Sequence, residues 1–261
     1  MLVAQSLTVA QAADWPGDAP LRGSFEPPAA AGSSGMRWDG INFGGHIGVF
    51  NADTDFSKST GDWVAYSLRE TALQNQIHPS DWSVLPSQIS HGKSYGAFLG
   101  YNLQWDQVVL GVDVLYNRVS GGSSTVSDGL TRIVNPSTGT DTVTISGQAT
   151  AQLKDYAAFR ARAGYTIGQF LPYGFIGAAV GRFDYSRDLF LRVSGADNGT
   201  YTLSENKNGA IVAGLTAGLG LDVALTPNIF LRGEWEFIAF AEFNNIRVNT
   251  NTGRVGVGVR F

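Results

Sequence analysis

Six arginines and five carboxylates of this 261-residue chain fall on the glycine-bearing face of short stretches with a period of two. Side chains of these types can pair as buried salt bridges, line an ion pathway or transfer protons. A period of two places them on one face of a β-strand. We therefore expect them to converge on one interior. The set is Asp113, Arg160, Arg162, Arg182, Asp184, Asp222, Arg232, Glu234, Glu236, Arg254 and Arg260.

The other reactive residue types do not favour an enzyme. The sequence has three histidines, His46, His78 and His91, and no cysteine. It contains no Gly-x-Ser-x-Gly nucleophile motif and no His-x-x-x-His pair. The glycine run that begins at Gly214 fails the G-x-G-x-x-G spacing of a dinucleotide-binding loop. We expect no catalytic residue, no metal site and no cofactor.

Composition excludes two further classes of protein. The net charge is -4 and the basic residues are scattered, so the sequence offers no basic face for nucleic acid. The chain is 43% hydrophobic and 15% charged, which is typical of an ordered protein. No window approaches the roughly 20 uninterrupted apolar residues of a transmembrane helix. Any membrane span must therefore consist of strands.

Eight stretches alternate apolar residues with glycine, polar or charged residues, which predicts β-strands with two unlike faces. The charged residues share a face with the glycines, so the opposite face is free of charge, as lipid requires of a barrel exterior. The alternation alone is equally compatible with a soluble β-sandwich. The stretches are 41–50, 95–105, 108–117, 156–166, 173–185, 209–225, 229–237 and 253–261.

The connections between these stretches alternate in length, which distinguishes the two architectures. Those after the second, fourth and sixth stretches are short, at 106–107, 167–172 and 226–228. The others are long, at 51–94, 118–155, 186–208 and 238–252. This pattern predicts an all-β fold, an eight-stranded antiparallel up-and-down transmembrane β-barrel with short periplasmic turns and long extracellular loops.

Aromatic residues supply a second indication of a membrane barrel. On this topology they gather at the two ends of the outer face, with aliphatic residues between, as expected where rings lie among lipid headgroups. The predicted periplasmic girdle is Phe43, Tyr101, Trp105, Tyr165, Tyr173, Phe175 and Phe261. The predicted extracellular girdle is Tyr95, Tyr116, Phe183, Tyr185, Trp235 and Phe237.

The N-terminal residues differ in composition from the rest of the chain. Residues 1–12 end in Ala-Gln-Ala, an A-x-A cleavage pattern, and we interpret them as a signal peptide with a truncated start. Residues 13–37 are rich in Pro, Ala and Gly, which indicates an extended periplasmic linker. Residues 38–261 then form the predicted barrel.

Four segments resemble a known family, the small outer-membrane barrels of the OmpA/OmpX-like class, and most of all its alphaproteobacterial surface-antigen group. They are WDGINFGGHIGVF from Trp38, FRARAGYTIGQFLPYGFIGAAVG from Phe159, GLTAGLGLDVALTPNIFLRGEWEF from Gly214, and the C-terminal GRVGVGVRF. The resemblance implies that the row Val257, Val259 and Phe261 is the signal read by the outer-membrane assembly machinery.

The interior charges leave more than one function open. Eight strands enclose a space only wide enough for side chains, so the charges could form a salt-bridged plug. Partners that separate would instead make a narrow channel. We expect a non-enzymatic protein of the cell outer membrane that supports envelope structure. The alternatives are a small-solute pore, and loop-mediated binding to a host surface, haem or an envelope partner. The expected partners are outer-membrane lipid, lipopolysaccharide and the assembly machinery, with no nucleic acid.

Overall fold

The computed structural model describes residues 37–67, 69, 85–121, 123–134, 139–195 and 198–261. The predicted signal peptide 1–12, the predicted linker 13–37 apart from Arg37, and His78 lie outside the described residues. Within the described part, no helix is both long enough and apolar enough to cross a bilayer.

The described residues form nine strands and one short helix. The helix is α1, Gly61–Ser67. The strands are β1 Gly40–Asp55, β2 Ser87–Trp105, β3 Val108–Gly121, β4 Ser123–Val134, β5 Asp141–Tyr165, β6 Phe170–Gly195, β7 Gly199–Ala224, β8 Ile229–Phe240 and β9 Arg247–Arg260.

The strands close into a ring of eight positions. All pairings are antiparallel between ring neighbours, and β1 pairs with β9 to close the sheet. Both β3 and β4 pair with β5, at successive heights, so β4 continues the line of β3 beyond a break at Gly121, whose φ is 84°. The prediction of an eight-stranded up-and-down barrel is therefore confirmed.

Two of the predicted long loops, 118–155 and 186–208, consist largely of strand. β5, β6 and β7 are 25, 26 and 26 residues long. A barrel strand needs only about 9–11 residues to cross a membrane. The excess residues of β4 to β7 form a tall sheet, here called the hairpin wall, at the long-connection end. Strand continues there because the inner face of the wall stays apolar while its outer face becomes polar.

A hydrophobic core lies under the hairpin wall, where β1 and α1 meet it. We call it the cap core. Val64 of α1 is fully buried, as are Phe56 just after β1 and Leu85 just before β2. The wall contributes buried Val143, Ile145, Leu189, Leu191 and Val193. The long-connection end is therefore covered by folded structure.

At the other end the turns are short, and the outer face between the two ends is apolar. Residues 106–107, 166–169 and 225–228 connect the strands, and Asp106 adopts a positive φ of 51° to make the tightest turn. Large apolar side chains on the outer face are exposed, such as Ile47 at 65% and Leu215 at 73%. A soluble protein would bury a band of this size, whereas a barrel exposes it to lipid.

Candidate functional site

Arg160 lies at the centre of the barrel interior. Its Nε donates to Asp113 Oδ1 at 2.6 Å and its Nη2 to Asp113 Oδ2 at 3.0 Å, a bidentate pair. Its other donors reach Glu234 Oε2 at 3.1 Å and Glu236 Oε1 at 3.4 Å. The guanidinium also lies 4.2 Å from the ring centroid of Phe175. One arginine thus joins β3, β5, β6 and β8 across the interior.

A second arginine completes this group from β9. Arg254 Nε donates to Glu234 Oε2 at 2.7 Å, and its Nη1 to Glu236 Oε2 at 3.0 Å. The hydroxyls of Tyr156 and Thr216 donate to Glu236 at 2.8 and 2.9 Å. Both glutamates are therefore held by arginines from two sides.

A second group lies nearer the short-turn end, around Asp222. Arg232 binds this carboxylate in bidentate fashion with two bonds of 2.8 Å. Arg162 Nη2 donates to the same carboxylate, also at 2.8 Å. In the described interior, the two groups taken together balance four arginines against four carboxylates. The arginines are Arg160, Arg162, Arg232 and Arg254, and the carboxylates are Asp113, Asp222, Glu234 and Glu236.

Arg260 is buried but occupies a different setting from the other interior arginines. Its Nε and Nη2 donate to the carbonyl oxygen of Pro227 at 3.1 and 2.6 Å. Its guanidinium lies 4.6 Å from the ring centroid of Trp38. Trp38 packs edge-on against Phe230, which contacts Phe98. Aromatic rings thus fill the interior at the short-turn end.

Aromatic rings also fill the interior at the opposite end of the charged groups. Phe183 lies with its ring centroid 5.0 Å from that of Phe240 and 5.1 Å from that of Phe243. Tyr185 contacts Phe243 from the next layer, at 5.8 Å. The charged groups are therefore enclosed between two aromatic layers.

The placement predicted for four girdle aromatics was wrong. Tyr173, Phe175, Phe183 and Tyr185 are at most 5% exposed and point into the barrel. For Tyr173 and Phe175 the reason is a fit to glycines on β7. Phe175 pairs with Gly218, and a Cβ at Gly218 would lie 2.4 Å from the end of the Phe175 ring. Tyr173 fits Gly220 in the same way, and an arginine lies over each of these two rings. The alternation of β6 then carries Phe183 and Tyr185 inward as well.

Because the aromatic face of β6 points inward, the placement predicted for two charged residues was also wrong. Arg182 and Asp184 alternate with the inward aromatics, so they point outward. Arg182 is half exposed and pairs with Asp155, while Asp184 pairs with Lys154 at 3.3 Å. Backbone hydrogen bonding from Gly209 lowers the pKa of Asp184 below its ordinary value. Neither residue joins the interior groups.

The remaining predicted girdle residues lie on the outer face. Phe237 and Val259 are half-buried there, and Val257 is 51% exposed. Phe261 stacks on Phe43 with ring centroids 5.8 Å apart. The exposed members of the predicted girdles are Phe43, Tyr95, Tyr101, Trp105, Tyr116, Tyr165, Trp235 and Phe261. Phe170, which is 41% exposed, belongs to the outer face at the short-turn end and was missed.

The described histidines have asparagine partners. His46 Nε2 lies 3.1 Å from Asn117 Oδ1 inside the barrel, and Asn117 Nδ2 donates to the hydroxyl of Tyr156. His91 Nδ1 lies 2.6 Å from Asn51 Oδ1 at the surface. Both arrangements serve hydrogen bonding. The described residues contain no group of three side chains that could hold a metal ion.

Sequence analysis missed a second arginine centre, above the barrel. Arg187 is 4% exposed and donates to Ser59 O at 2.6 Å, to Asn244 O at 3.4 Å and to the carboxylate of Glu205. Its guanidinium lies 4.3 Å from the ring centroid of Trp63. We call this group the clasp, because it joins β6, β7, α1 and the β8–β9 connection. Its signal was weak, since residue 187 fell in a predicted loop.

The clasp shifts the pKa values of two of its own members. The hydrogen bond from Arg187 lowers the pKa of Glu205 below its ordinary value of about 4.5. Burial raises the pKa of Tyr185, whose hydroxyl donates to Glu205 Oε1 at 2.9 Å. Glu205 therefore remains a carboxylate at neutral pH and holds Arg187 in place.

A family model described as an outer membrane protein beta-barrel domain matches residues 21–261. The chain belongs to this family. These outer-membrane barrels include two curated relatives of similar length, the 25 kDa outer-membrane immunogenic proteins of Brucella ovis and Brucella melitensis. Each is 27% identical, over 77% of this chain and 76% or 77% of the relative.

Solved structures of small outer-membrane barrels are similar at a lower level. Ail of Yersinia pestis has 15% identity and a TM-score of 0.32, over 85% of this chain and 99% of Ail. Neisserial surface protein A has 17% identity and a TM-score of 0.35, over 84% of this chain and 97% of its own. These similarities are weak, and the family assignment rests on the sequence match.

Membership of this family places the chain in the outer membrane of a Gram-negative bacterium. The short turns then face the periplasm, and the hairpin wall, cap core and clasp lie outside the cell. The apolar outer face contacts membrane lipid.

Proposed function

We propose that this protein is a closed, non-enzymatic barrel that supports the structure of the outer membrane and presents a folded extracellular cap. One observation supports this proposal above the others. The four interior arginines of the charge-balanced groups have side chains at most 2% exposed, and all are bound to carboxylates. Ions would have to replace these pairs to pass.

The cost of separating the pairs argues against the small-solute pore. Removing one partner of a buried ion pair typically costs about 3–5 kcal/mol, because the other charge is left uncompensated in a poorly solvated site. The interior pairs are linked in groups, so opening a path would break several at once. The aromatic layers at both ends add a further barrier.

The deciding experiment uses the full chain refolded into lipid vesicles. Gel mobility of heated and unheated samples reports whether the barrel is folded, and planar bilayers then report single-channel current. We expect a heat-sensitive mobility shift and no reproducible current steps. The Arg182→Gln variant is the matched control, since that arginine lies outside the interior and its loss should change neither result.

Steady current steps from the folded protein would contradict the closed barrel and favour the small-solute pore instead. A folded, silent barrel that is dispensable for envelope integrity in cells would contradict the structural role instead. Detergent and osmotic sensitivity of a deletion strain, with and without the wild-type gene restored, measures that role.

Surface binding through the hairpin wall is a second candidate function. The upper parts of β4 and β7 each pair on one side only within the described sheet, so their outer edges are free. Free edges can accept a strand from a partner protein. A variant with residues 123–152 replaced by a short turn tests this idea. It should keep the heat-sensitive shift and lose binding to host or envelope proteins.

A further inference from the structure

The lipid-facing surface of β9, β1 and β2 carries a groove that the outer aromatic and aliphatic residues do not fill. Outward positions there are occupied by Gly45, Ala97 and Gly253. Gly45 is the register partner of Ala97, and Gly253 is the partner of Val49. Because these residues have small side chains or none, the surface is recessed along the strands.

The recess consists of two adjoining hollows with volumes of about 830 and 590 Å³. Ile47, Tyr95 and Val255 line both hollows, so together they form one track, here called the outer groove. The first hollow starts at Gly45, the middle of the five outward positions from Ile41 to Val49. The outer groove therefore occupies the half of the membrane that faces the outside of the cell.

Two cations stand at the upper part of the outer groove. Arg118 lines the first hollow and Lys93 lines the second. Arg118 on β3 is the register partner of Tyr95 on β2. Lys93 lies two residues before Tyr95 on the same strand, so the two cations are diagonal neighbours. Such neighbours are about 7–8 Å apart, a spacing that one phosphorylated headgroup can bridge. Asp155 lies beside Arg118 on β5, but Arg182 binds its carboxylate.

We propose that the outer groove binds an outer-leaflet lipid with several acyl chains and a phosphorylated headgroup, the chemical class of lipopolysaccharide. The acyl chains lie along the apolar track over Gly45 and Gly253. The phosphate groups accept hydrogen bonds from Lys93 and Arg118 at the height of the headgroups. This inference requires only the barrel's position in the outer membrane and goes beyond the proposed structural role.

Charge complementarity favours this lipid over a second copy of the chain. A second copy would bring the same two cations to the interface, and the described lining of the two hollows contains no carboxylate to match them. A zwitterionic phospholipid would supply acyl chains, but it has only one phosphate for the two cations. That phosphate is already neutralised by the choline or ethanolamine that it carries. A headgroup with two phosphates satisfies both cations together.

The test measures lipid retention by the full chain. The protein is refolded into vesicles that contain equal amounts of phosphatidylcholine and bis-phosphorylated lipid A, extracted in mild detergent, and examined by native mass spectrometry. We expect wild-type protein to retain lipid A in clear preference to phosphatidylcholine. Equal retention of the two lipids by wild-type protein would overturn the proposal without any variant.

Two double variants then test the apolar part of the outer groove and its two cations separately. Gly45→Ile with Gly253→Ile fills the track, and a Cβ at these positions has no close contact to disturb the fold. Lys93→Gln with Arg118→Gln removes the two cations. Each pair should lower lipid A retention by about tenfold or more, since charge-assisted bonds and apolar contact both contribute.

Matched controls carry the same changes elsewhere. Gly174→Ile adds an outward side chain on β6, across the barrel, and Arg192→Gln with Lys207→Gln removes the same charges from the hairpin wall. Both should retain lipid A like the wild type. Unchanged retention in the groove variants, or a dimer that only groove filling abolishes, would overturn the assignment. The heat-sensitive shift and bilayer recordings test the closed barrel separately.

Discussion

Three kinds of residue occupy the interior in layers: glycine, an aromatic ring and an arginine. Gly218 gives space to Phe175, which lies under Arg160, and Gly220 gives space to Tyr173, which lies under Arg162. The glycines leave the ring flat against the neighbouring strand, and the ring face attracts the guanidinium. Cation–π contact and carboxylate pairing therefore act on the same arginines, which keeps buried charge in a narrow space.

The layers predict that an added side chain destabilises the barrel at an inward glycine and is tolerated at an outward glycine. A Cβ at Gly218 would lie 2.2 Å from the carbonyl oxygen of Trp235, whereas one at Gly253 would meet nothing within 4 Å. We expect Gly218→Ala to lower the free energy of unfolding by about 1–3 kcal/mol, as overpacking does, and Gly253→Ala to have little effect. Urea unfolding in lipid vesicles measures both. Equal effects would show that the close packing at Gly218 is not required.

Loss of an interior arginine should destabilise the barrel far more than loss of a surface arginine. We expect Arg160→Met to lower the free energy of unfolding by about 3–5 kcal/mol, because Asp113 and Glu234 lose a buried partner. Arg182→Met removes a half-exposed arginine, and we expect a change of about 0–1 kcal/mol. The midpoint of the heat-induced gel shift should fall for the first variant only. A similar midpoint for both would mean that the interior is more hydrated than its burial indicates.

At the scale of elements, the clasp joins pieces of chain that are distant in sequence. Arg187 from β6 reaches Ser59 before α1 and Asn244 between β8 and β9. The strands of the wall are long enough to place it there, beyond the membrane. The cap core and the clasp together hold the wall over the barrel mouth.

The clasp predicts that acid loosens the cap while the barrel stays folded. The pKa of Glu205 is lowered in the folded state, so its stabilising contribution is complete above its unfolded value of about 4.5 and is lost as the pH falls through the folded value. The protection factors of residues 198–208 against hydrogen exchange, taken relative to the intrinsic exchange rate at each pH, should therefore fall below about pH 4.5. In Glu205→Gln, these protection factors should already be low at pH 7 and change less with acid. Unaltered pH dependence in that variant would exclude Glu205 as the responsible group.

At the scale of the whole molecule, assembly in the membrane is separate from stability. The proposed assembly signal, Val257, Val259 and Phe261, lies on the outer face, and Phe261 is 72% exposed. A side chain so exposed contributes little to folding in isolation. Its stacking on Phe43 is the one ring contact that it makes in the described structure.

We expect Phe261→Ala to reduce the amount of protein in the outer membrane of cells several-fold, because the assembly machinery would read the signal poorly. Refolding into vesicles without that machinery should change little, with a stability loss of about 1 kcal/mol or less. Phe43→Ala removes the stacking partner and controls for the ring contact. Equal losses in cells for both variants would assign the effect to stacking.

The period-two pattern, the charge-free face and the alternating connection lengths determined the barrel, because a membrane dictates which side chains face out and which ends can be long. They also identified most of the interior charges, from Asp113 to Arg254. The orientation of β6 was decided only by tertiary structure. Its stretch 173–185 has aromatics on one face and charges on the other, and an aromatic can face lipid or a glycine across the strand pair. Register with Gly218 and Gly220 turned the rings inward and carried Arg182 and Asp184 outward. The clasp likewise exists only because four distant segments meet above the barrel, a proximity that no local spacing encodes.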